Sequence, residues 1–250
     1  MHVLITGGGT GIGAATARLF AALGHRVTIA GRRREPLESV AAAFATTVAV
    51  TVDVTSEVAC EDLVTAARAA HGPIDIVVAN AGAAEGQPFA RTTLEHWQQT
   101  IGVNLTGAFL TAKAALPDLL RRDGDGLRRL VFVASTAGLK GYPYVAPYCA
   151  AKHGVVGLTR ALAQEYAKTA LTVNAVCPGY VATPLFDDAV ANIVATTGRT
   201  AEHATAELLA GNPQGRLIQP EDVAETIGWL CSPAAASVTG QAVAMSGGET

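Results

Sequence analysis

The run Val3-Leu4-Ile5-Thr6-Gly7-Gly8-Gly9-Thr10-Gly11-Ile12-Gly13 decides the fold of this chain. Three apolar, strand-forming residues lead straight into a cluster of glycines, and a helical segment follows. Strand, glycine-rich turn and helix together are how an α/β sheet holds a pyrophosphate. Glycines reach positive φ and allow close backbone approach, and the helix N-terminus offers unpaired N–H groups. Glycine clusters occur in many tight turns; position directly after a first strand is what gives this one weight. The strict spacing G-x-G-x-x-G fits no register here, whereas T-G-x-x-x-G-x-G fits with Gly7, Gly11 and Gly13.

Outward from this turn, short apolar runs alternate with helical segments to the end of the chain, the pattern of parallel strands covered on both faces. The expected strands are 2–6, 26–30, 48–53, 75–79, 129–135, 171–177 and 241–245. The expected helices are 11–24, 35–44, 56–71, 93–122 with a break at Pro117, 146–168, 187–210 and 220–231. The fold class is therefore α/β: a single doubly wound domain over 1–250, with a seven-stranded parallel sheet and helices on both faces. No repeat or linker divides it. Segment 184–212 has no sheet partner and follows a strand end, where open α/β sheets place their ligands. It reads either as a lid over a substrate or as extra core cover.

Half of the residues are apolar and 16% are charged, a globular balance. A net charge of −3 without a long basic run argues against a nucleic-acid partner, and Arg32-Arg33-Arg34 is too short to bind duplex alone. No apolar run reaches the length of a membrane span. Because the first strand begins almost at once, we expect no targeting segment and a cytoplasmic protein. Cys60, Cys149, Cys177 and Cys231 show no C-x-x-C spacing, and the histidines no H-E-x-x-H spacing, so no metal site is expected. His153 reads as a packing residue, and no activating histidine stands out for Cys149.

Chemistry is carried by Tyr148 and Lys152. Four residues apart on a helix, they share one face, and no other tyrosine of the chain has a lysine at that spacing. A nearby ammonium favours the phenolate and so lowers the phenol pKa toward the working pH, which suits a proton donor or acceptor. Ser135, at the end of the fifth strand, can hydrogen-bond a substrate oxygen and steady developing charge. With the T-G-x-x-x-G-x-G turn ahead of them, these residues resemble the classical short-chain dehydrogenase/reductase family, essentially end to end. The resemblance implies a Rossmann-like fold and hydride transfer between a nicotinamide and a carbonyl or secondary-alcohol carbon. In its terms Tyr148 handles the proton, Lys152 also binds the nicotinamide ribose, and Asn104, within Val103-Asn104-Leu105-Thr106-Gly107, is the helix-bending asparagine that holds a water leading from Lys152 to solvent. It further implies cofactor contacts from Gly7, Thr10, Gly11, Ile12 and Gly13, from Asp53 and Val54 beside the adenine, and from Asn80, Ala81 and Gly82 under the ribose. Pro178, Gly179, Val181 and Thr183 would then lie near the carboxamide.

The second strand reports on which nicotinamide is used. A carboxylate at its end would bond the ribose 2′-hydroxyl of NAD and repel a 2′-phosphate. Here it ends Gly31-Arg32-Arg33, with no carboxylate before Glu35. Guanidinium forks suit phosphate. We expect NADP(H), with Arg32 as main contact and Arg33 as helper; NAD(H) is the alternative if these arginines only form a solvated loop.

Substrate contacts are expected from Ala83 and Ala84, from 139–144, and from Tyr180 and Phe186, a mainly apolar set. Gly138-Leu139-Lys140-Gly141-Tyr142 and Ala210-Gly211-Asn212-Pro213-Gln214-Gly215-Arg216 are similar to family members acting on 3-oxoacyl and 3-hydroxyacyl thioesters. Lys140 at the rim would then attract the phosphates of a CoA or carrier-protein arm, or be an ordinary solvated lysine. Three readings stay open: a 3-oxoacyl-thioester reductase (equally a 3-hydroxyacyl dehydrogenase run in reverse), a carbonyl reductase or alcohol dehydrogenase for a free ketone, diol or polyketide-like substrate, and a non-catalytic nucleotide-sensing regulator. Family members usually form homotetramers, and Val155, Val156, Leu158 and Leu162 are the apolar face expected to serve that contact.

Overall fold

Strands covered on both faces must be apolar at consecutive positions, and β1 (His2–Thr6) is buried at every one. In the computed structural model, which describes residues 1–121 and 126–250, six further strands join it. They are β2 (Arg26–Gly31), β3 (Thr47–Thr51), β4 (Ile76–Ala79), β5 (Arg128–Val133), β6 (Leu171–Pro178) and β7 (Ala242–Met245). All pair in parallel, in the order β3-β2-β1-β4-β5-β6-β7. The doubly wound α/β class is what the structure shows, and each strand lies within two residues of its expected bounds.

Alternate residues of the strands point to opposite faces. On one face Leu4, Val77, Leu130, Phe132 and Val173 pack under α3 (Glu57–His71), α5 (Gly107–Leu119) and α6 (Ala146–Glu165). On the other, Val3, Ile5, Ile29, Val131 and Val176 pack under α1 (Gly11–Ala22), α2 (Arg34–Ala41) and α9 (Pro220–Leu230). Strand order reverses between β1 and β4, so a crevice opens there at the carboxyl edge of the sheet.

Three expectations are corrected. The helix expected over 93–122 breaks not at Pro117 but at Gly102–Thr106, a single wide π turn between α4 (Leu94–Ile101) and α5. Asn104 makes that break, because its Nδ2 donates to the Thr100 carbonyl at 2.9 Å in place of a backbone amide. Pro117 lies on the exposed face of α5, where the carbonyl it leaves unpaired meets water. The expected end at residue 122 falls outside the described residues. The helix expected over 187–210 is two helices, α7 (Pro184–Thr197) and α8 (Ala201–Leu209), with Gly198 (φ 71°) ending the first and the Thr200 hydroxyl capping the second. Val155 and Val156 are core residues, and Leu158 and Leu162 pack against that core. Phe89, Leu94, Phe109 and Trp229 are among the apolar side chains left exposed instead. Among the described residues no helix is long and apolar enough to cross a membrane.

Away from the crevice, His2 is fully buried at the start of β1, with Nδ1 2.8 Å from the Gly72 carbonyl oxygen and Nε2 2.9 Å from Thr28 Oγ1. Burial holds its pKa below the ordinary 6.5, and His71 and Arg26 push the same way. The folded-state value is the lower one, so the unfolded chain takes up the proton first as pH falls below about 6.5, and stability declines there. We expect the urea midpoint to be lower at pH 5.5 than at pH 7.5, and His2→Gln to shrink that gap. A gap of unchanged size in the variant would show that His2 carries none of it.

Candidate active site

The crevice is built on the turn after β1. Gly7 (φ 67°) and Gly11 (φ 52°) both occupy the left-handed region, which only glycine enters freely. Thr10 is the extended N-cap of α1 but makes no side-chain cap bond, and the first turn of that helix carries no acidic residue. Its leading N–H groups are thus left for an anion. Asn80 clips the turn to β4: its Nδ2 donates to the Thr6 and Gly7 carbonyls at 2.9 and 3.2 Å. Thr6 Oγ1 accepts in return from the amides of Asn80 and Ala81 at 3.1 and 3.2 Å.

A cleft of about 1230 Å³ runs from this turn along the carboxyl edge of the sheet. Of the residues expected to touch a cofactor, all but Gly13 lie in its wall. Gly13 stands behind the turn, where an added Cβ would run into the Gly7 carbonyl oxygen. Arg32 and Arg33 form one end with Asp53 and Val54. Arg33 Nη2 donates to Thr10 Oγ1 at 3.5 Å, and Asp53 holds the next turn by accepting from the Thr55 amide and hydroxyl at 3.0 and 2.8 Å. Those two bonds keep the Asp53 carboxyl below its usual range, with a smaller contribution from Arg32. An uncapped helix N-terminus and glycines where a Cβ would intrude fit a nicotinamide dinucleotide, and two arginines stand at the far end.

At the middle of the cleft the ends of β5 and α6 meet. Ser135 follows β5 in extended backbone, and its Oγ accepts from the Ala137 amide at 3.1 Å. On α6, Lys152 is 4% exposed, donates Nζ to the Val133 carbonyl at 2.8 Å and lies 5.4 Å from the Tyr148 ring centroid. Tyr148 and Ser135 line the cleft beside it. The lowering of the phenol expected from the Lys152 ammonium is not found within this chain. Burial pushes Tyr148 up to about 12, against a hydrogen bond with Ser135 that lowers it, and burial pulls the Lys152 ammonium down to about 8. At neutral pH both groups keep their protons, so Tyr148 is a proton donor with a cation beside it.

Asn104 is not in the cleft wall. It is 1% exposed and braces the neighbouring loop, with Nδ2 donating to the Ala83 carbonyl at 2.7 Å and Oδ1 accepting from the Ala83 amide at 3.2 Å. Its Oδ1 and Lys152 Nζ both face Gly82. Of the substrate-contact residues expected, Ala84, Lys140 to Tyr144, Tyr180 and Phe186 line the cleft, whereas Ala83 and Leu139 do not. From α7, Phe186, Ala189 and Asn192 form one wall, and Asn192 Nδ2 ties this helix to the Gly86 carbonyl at 2.9 Å.

Lys140 is not a free rim cation. Its Nζ pairs with Glu249 at 2.9 Å and lies over the Tyr142 ring. Sequence reasoning passed over Glu249 as part of a trailing end; the signal was a carboxylate directly after Gly247-Gly248. Tyr144, one of the expected contact residues, holds a positive φ of 68° in the cleft wall.

Known proteins similar to this chain are numerous. A family model described as short chain dehydrogenase matches residues 1–193. Across 98% of its length the chain is 39% identical to a putative ketoacyl reductase of Streptomyces coelicolor, 95% of which is covered. It is similar to the crystal structure of a variant of actinorhodin polyketide ketoreductase with NADPH, at a TM-score of 0.93 and 38% identity over 99% of this chain and 96% of that one. It is also similar to 3-ketoacyl-(acyl-carrier-protein) reductase from Brucella melitensis complexed with NADH, at a TM-score of 0.88 and 32% identity over 99% and 97% of the two chains.

The packing behind the turn gives a direct test. Gly13→Ala forces a Cβ against the Gly7 carbonyl and Asn80 Nδ2. Overpacking of this kind costs about 1–3 kcal/mol, which for a chain of this size lowers the thermal midpoint by several degrees. A scanning fluorimetry midpoint equal to that of the unaltered protein would show that the turn yields instead.

Proposed function

The chain belongs to the short chain dehydrogenase family and is a nicotinamide-dependent oxidoreductase of the carbonyl reductase kind, and on that premise we propose that it is an NADP(H)-dependent reductase of 3-oxoacyl thioesters. The observation that carries this reading is the meeting of Ser135, Tyr148 and Lys152 at the cleft middle, beside the glycine turn. When bound, the nicotinamide supplies the hydride. The chain's own part is to hold the substrate oxygen and give it a proton. Ser135 Oγ hydrogen-bonds that oxygen, and Tyr148 Oη transfers its proton to it as negative charge develops. Lys152, held by the Val133 carbonyl, stabilises the phenolate left behind and so makes the transfer favourable despite a phenol value of about 12. Asn104 acts through position: it sets the loop at Ala83 and the bend that opens α4 from α5.

Arg32 and Arg33, at the end of the cleft where β2 stops, are the residues we assign to the 2′-phosphate of NADP(H). The thioester part is supported by the relatives named ketoacyl reductases. The second reading, a free cyclic ketone or diol, is favoured by the aromatic wall of Tyr142, Tyr180 and Phe186. In either case 184–212, as α7 and α8, serves as the substrate lid, since α7 forms a cleft wall of its own. The exposed Phe89, Leu94, Phe109 and Trp229 supply apolar contacts for a homotetramer.

Two substitutions test the assignment. Tyr148→Phe is expected to lower kcat by about a hundredfold or more with NADPH affinity, read by fluorescence titration, changed little. Near-normal turnover in a folded variant would remove Tyr148 from the chemistry. Arg32→Ala is expected to lower kcat/KM for NADPH by about tenfold or more and leave the value for NADH nearly unchanged, since each hydrogen bond to a charged group contributes about 1.5–3 kcal/mol. A preference for NADH in the unaltered protein, insensitive to Arg32→Ala, would assign the arginines to solvent.

A further inference from the structure

The C-terminal tail brings to the cleft a group that carbonyl reduction leaves unused. After β7 the chain reverses at Gly247 and Gly248 (φ 62° and 94°). The turn returns Glu249 to the cleft, where it lies in the wall with Tyr142 and Tyr180. The Glu249 side chain is only 6% exposed, and Oε1 pairs with Lys140 Nζ at 2.9 Å. Backbone from two separate loops closes round the carboxylate: a Cβ added at Gly179 would stand 3.5 Å from Oε2, and one at Gly211 would stand 2.8 Å from Oε1. Tyr142 links this corner to the reacting groups, its hydroxyl donating at 2.7 Å to Oγ1 of Thr136, the residue next to Ser135. Tyr180 meets Phe186 edge to face at 5.7 Å between centroids.

The substrate end of the cleft thus has aromatic walls and one anionic acceptor. Burying a carboxylate is costly unless donors satisfy it, and a carboxylate has about four lone-pair sites. Among the described residues, Lys140 is the side-chain cation paired with it, while the Tyr142 hydroxyl beside it gives its proton to Thr136 Oγ1. Acceptor capacity is left on the cleft side. A substrate hydroxyl placed there gains a charge-assisted hydrogen bond, a methyl ether gains none, and a carboxylate meets a like charge.

We propose that Glu249 is a specificity-determining residue, and that the preferred substrates are neutral carbonyl compounds carrying a hydroxyl that donates to it. Compounds with a free carboxylate at that position are refused. The proposal rests on the reading of the cleft as a carbonyl-reducing site and narrows its substrate class: a 3-oxoacyl thioester qualifies when its acyl part bears such a hydroxyl, as does a hydroxylated cyclic ketone. Lys140 then serves to hold Glu249 in place rather than to attract phosphate.

The test uses 1-tetralones, matched to the aromatic walls, with a hydroxyl, a methoxyl or a carboxylate at each ring position in turn. NADPH oxidation is followed for the unaltered protein and for Glu249→Met. For at least one position we expect kcat/KM of the hydroxyl compound to exceed that of its methoxyl partner by about tenfold or more, with the carboxylate poorest. In Glu249→Met the ratio should fall to within about threefold, and the carboxylate should improve against the now unpaired Lys140. The ratio is decisive because a loosened tail would slow both members of each pair alike. A ratio near one at every position, or one that survives Glu249→Met, overturns the proposal and leaves the reductase reading intact. No NADPH oxidation with any tetralone or 3-oxoacyl thioester overturns the reductase reading, and this proposal with it. Should Glu249→Met not fold, Glu249→Gln keeps the shape without the charge and must lower the ratio at least threefold.

Discussion

The clip between Thr6 and Asn80 is the contact on which the rest of this structure depends. It joins β1 to β4 at the point where strand order reverses, through bonds from the Asn80 side chain to the Thr6 and Gly7 carbonyls and from two amides to Thr6 Oγ1. Loops from the two halves of the sheet must part there, which opens the crevice. With the clip in place the glycine turn holds its left-handed residues against the end of β4, and the N-terminus of α1 points along the cleft. Every group assigned a role in binding or reduction hangs from the carboxyl edge of the sheet on one side of this clip or the other.

A second constraint acts at the cleft middle, where burial and charge compete. Lys152 is buried, and Tyr148 is half-buried in the cleft wall with its ring centroid 5.4 Å from the ammonium. Desolvation acts oppositely on the two groups, pushing the phenol up and the ammonium down. The outcome at neutral pH is a protonated phenol beside a cation that is anchored by the Val133 carbonyl. That state suits the delivery of a proton to a nascent alkoxide. Asn104 contributes from outside the wall, by bending the helix that carries it and by fixing the Ala83 loop beside Lys152.

The substrate end is organised by a different principle, contact between segments far apart in the chain. Glu249 reaches Lys140 across more than a hundred positions, and α7 reaches Gly86 through Asn192. Each contact ties a loop that follows one strand to a segment that follows another. Such ties shape the cleft beyond Ser135 while leaving its reacting groups alone, which separates selection from chemistry.

Much of this was readable along the chain. Continuous apolar runs such as Val3 to Ile5 and Ile76 to Ala79 announce strands buried on both faces, and the Tyr148–Lys152 spacing places two side chains on one helical face whatever surrounds it. The bend at Asn104 was legible only through the family resemblance and not from period or spacing, which pointed to Pro117, because the break depends on a side chain bonding a carbonyl at Thr100 and a loop at Ala83. The burial of Val155 and Val156 was not readable, since an apolar helical face does not state which neighbour covers it. The amino-acid sequence by itself determined the sheet class, the pyrophosphate turn and the identity of the proton-handling groups, because these rest on period and local spacing. The tertiary structure alone decided the protonation state of Tyr148 and Lys152 and the arrival of Glu249 in the cleft, because desolvation and long-range ion pairing arise only when distant segments pack together.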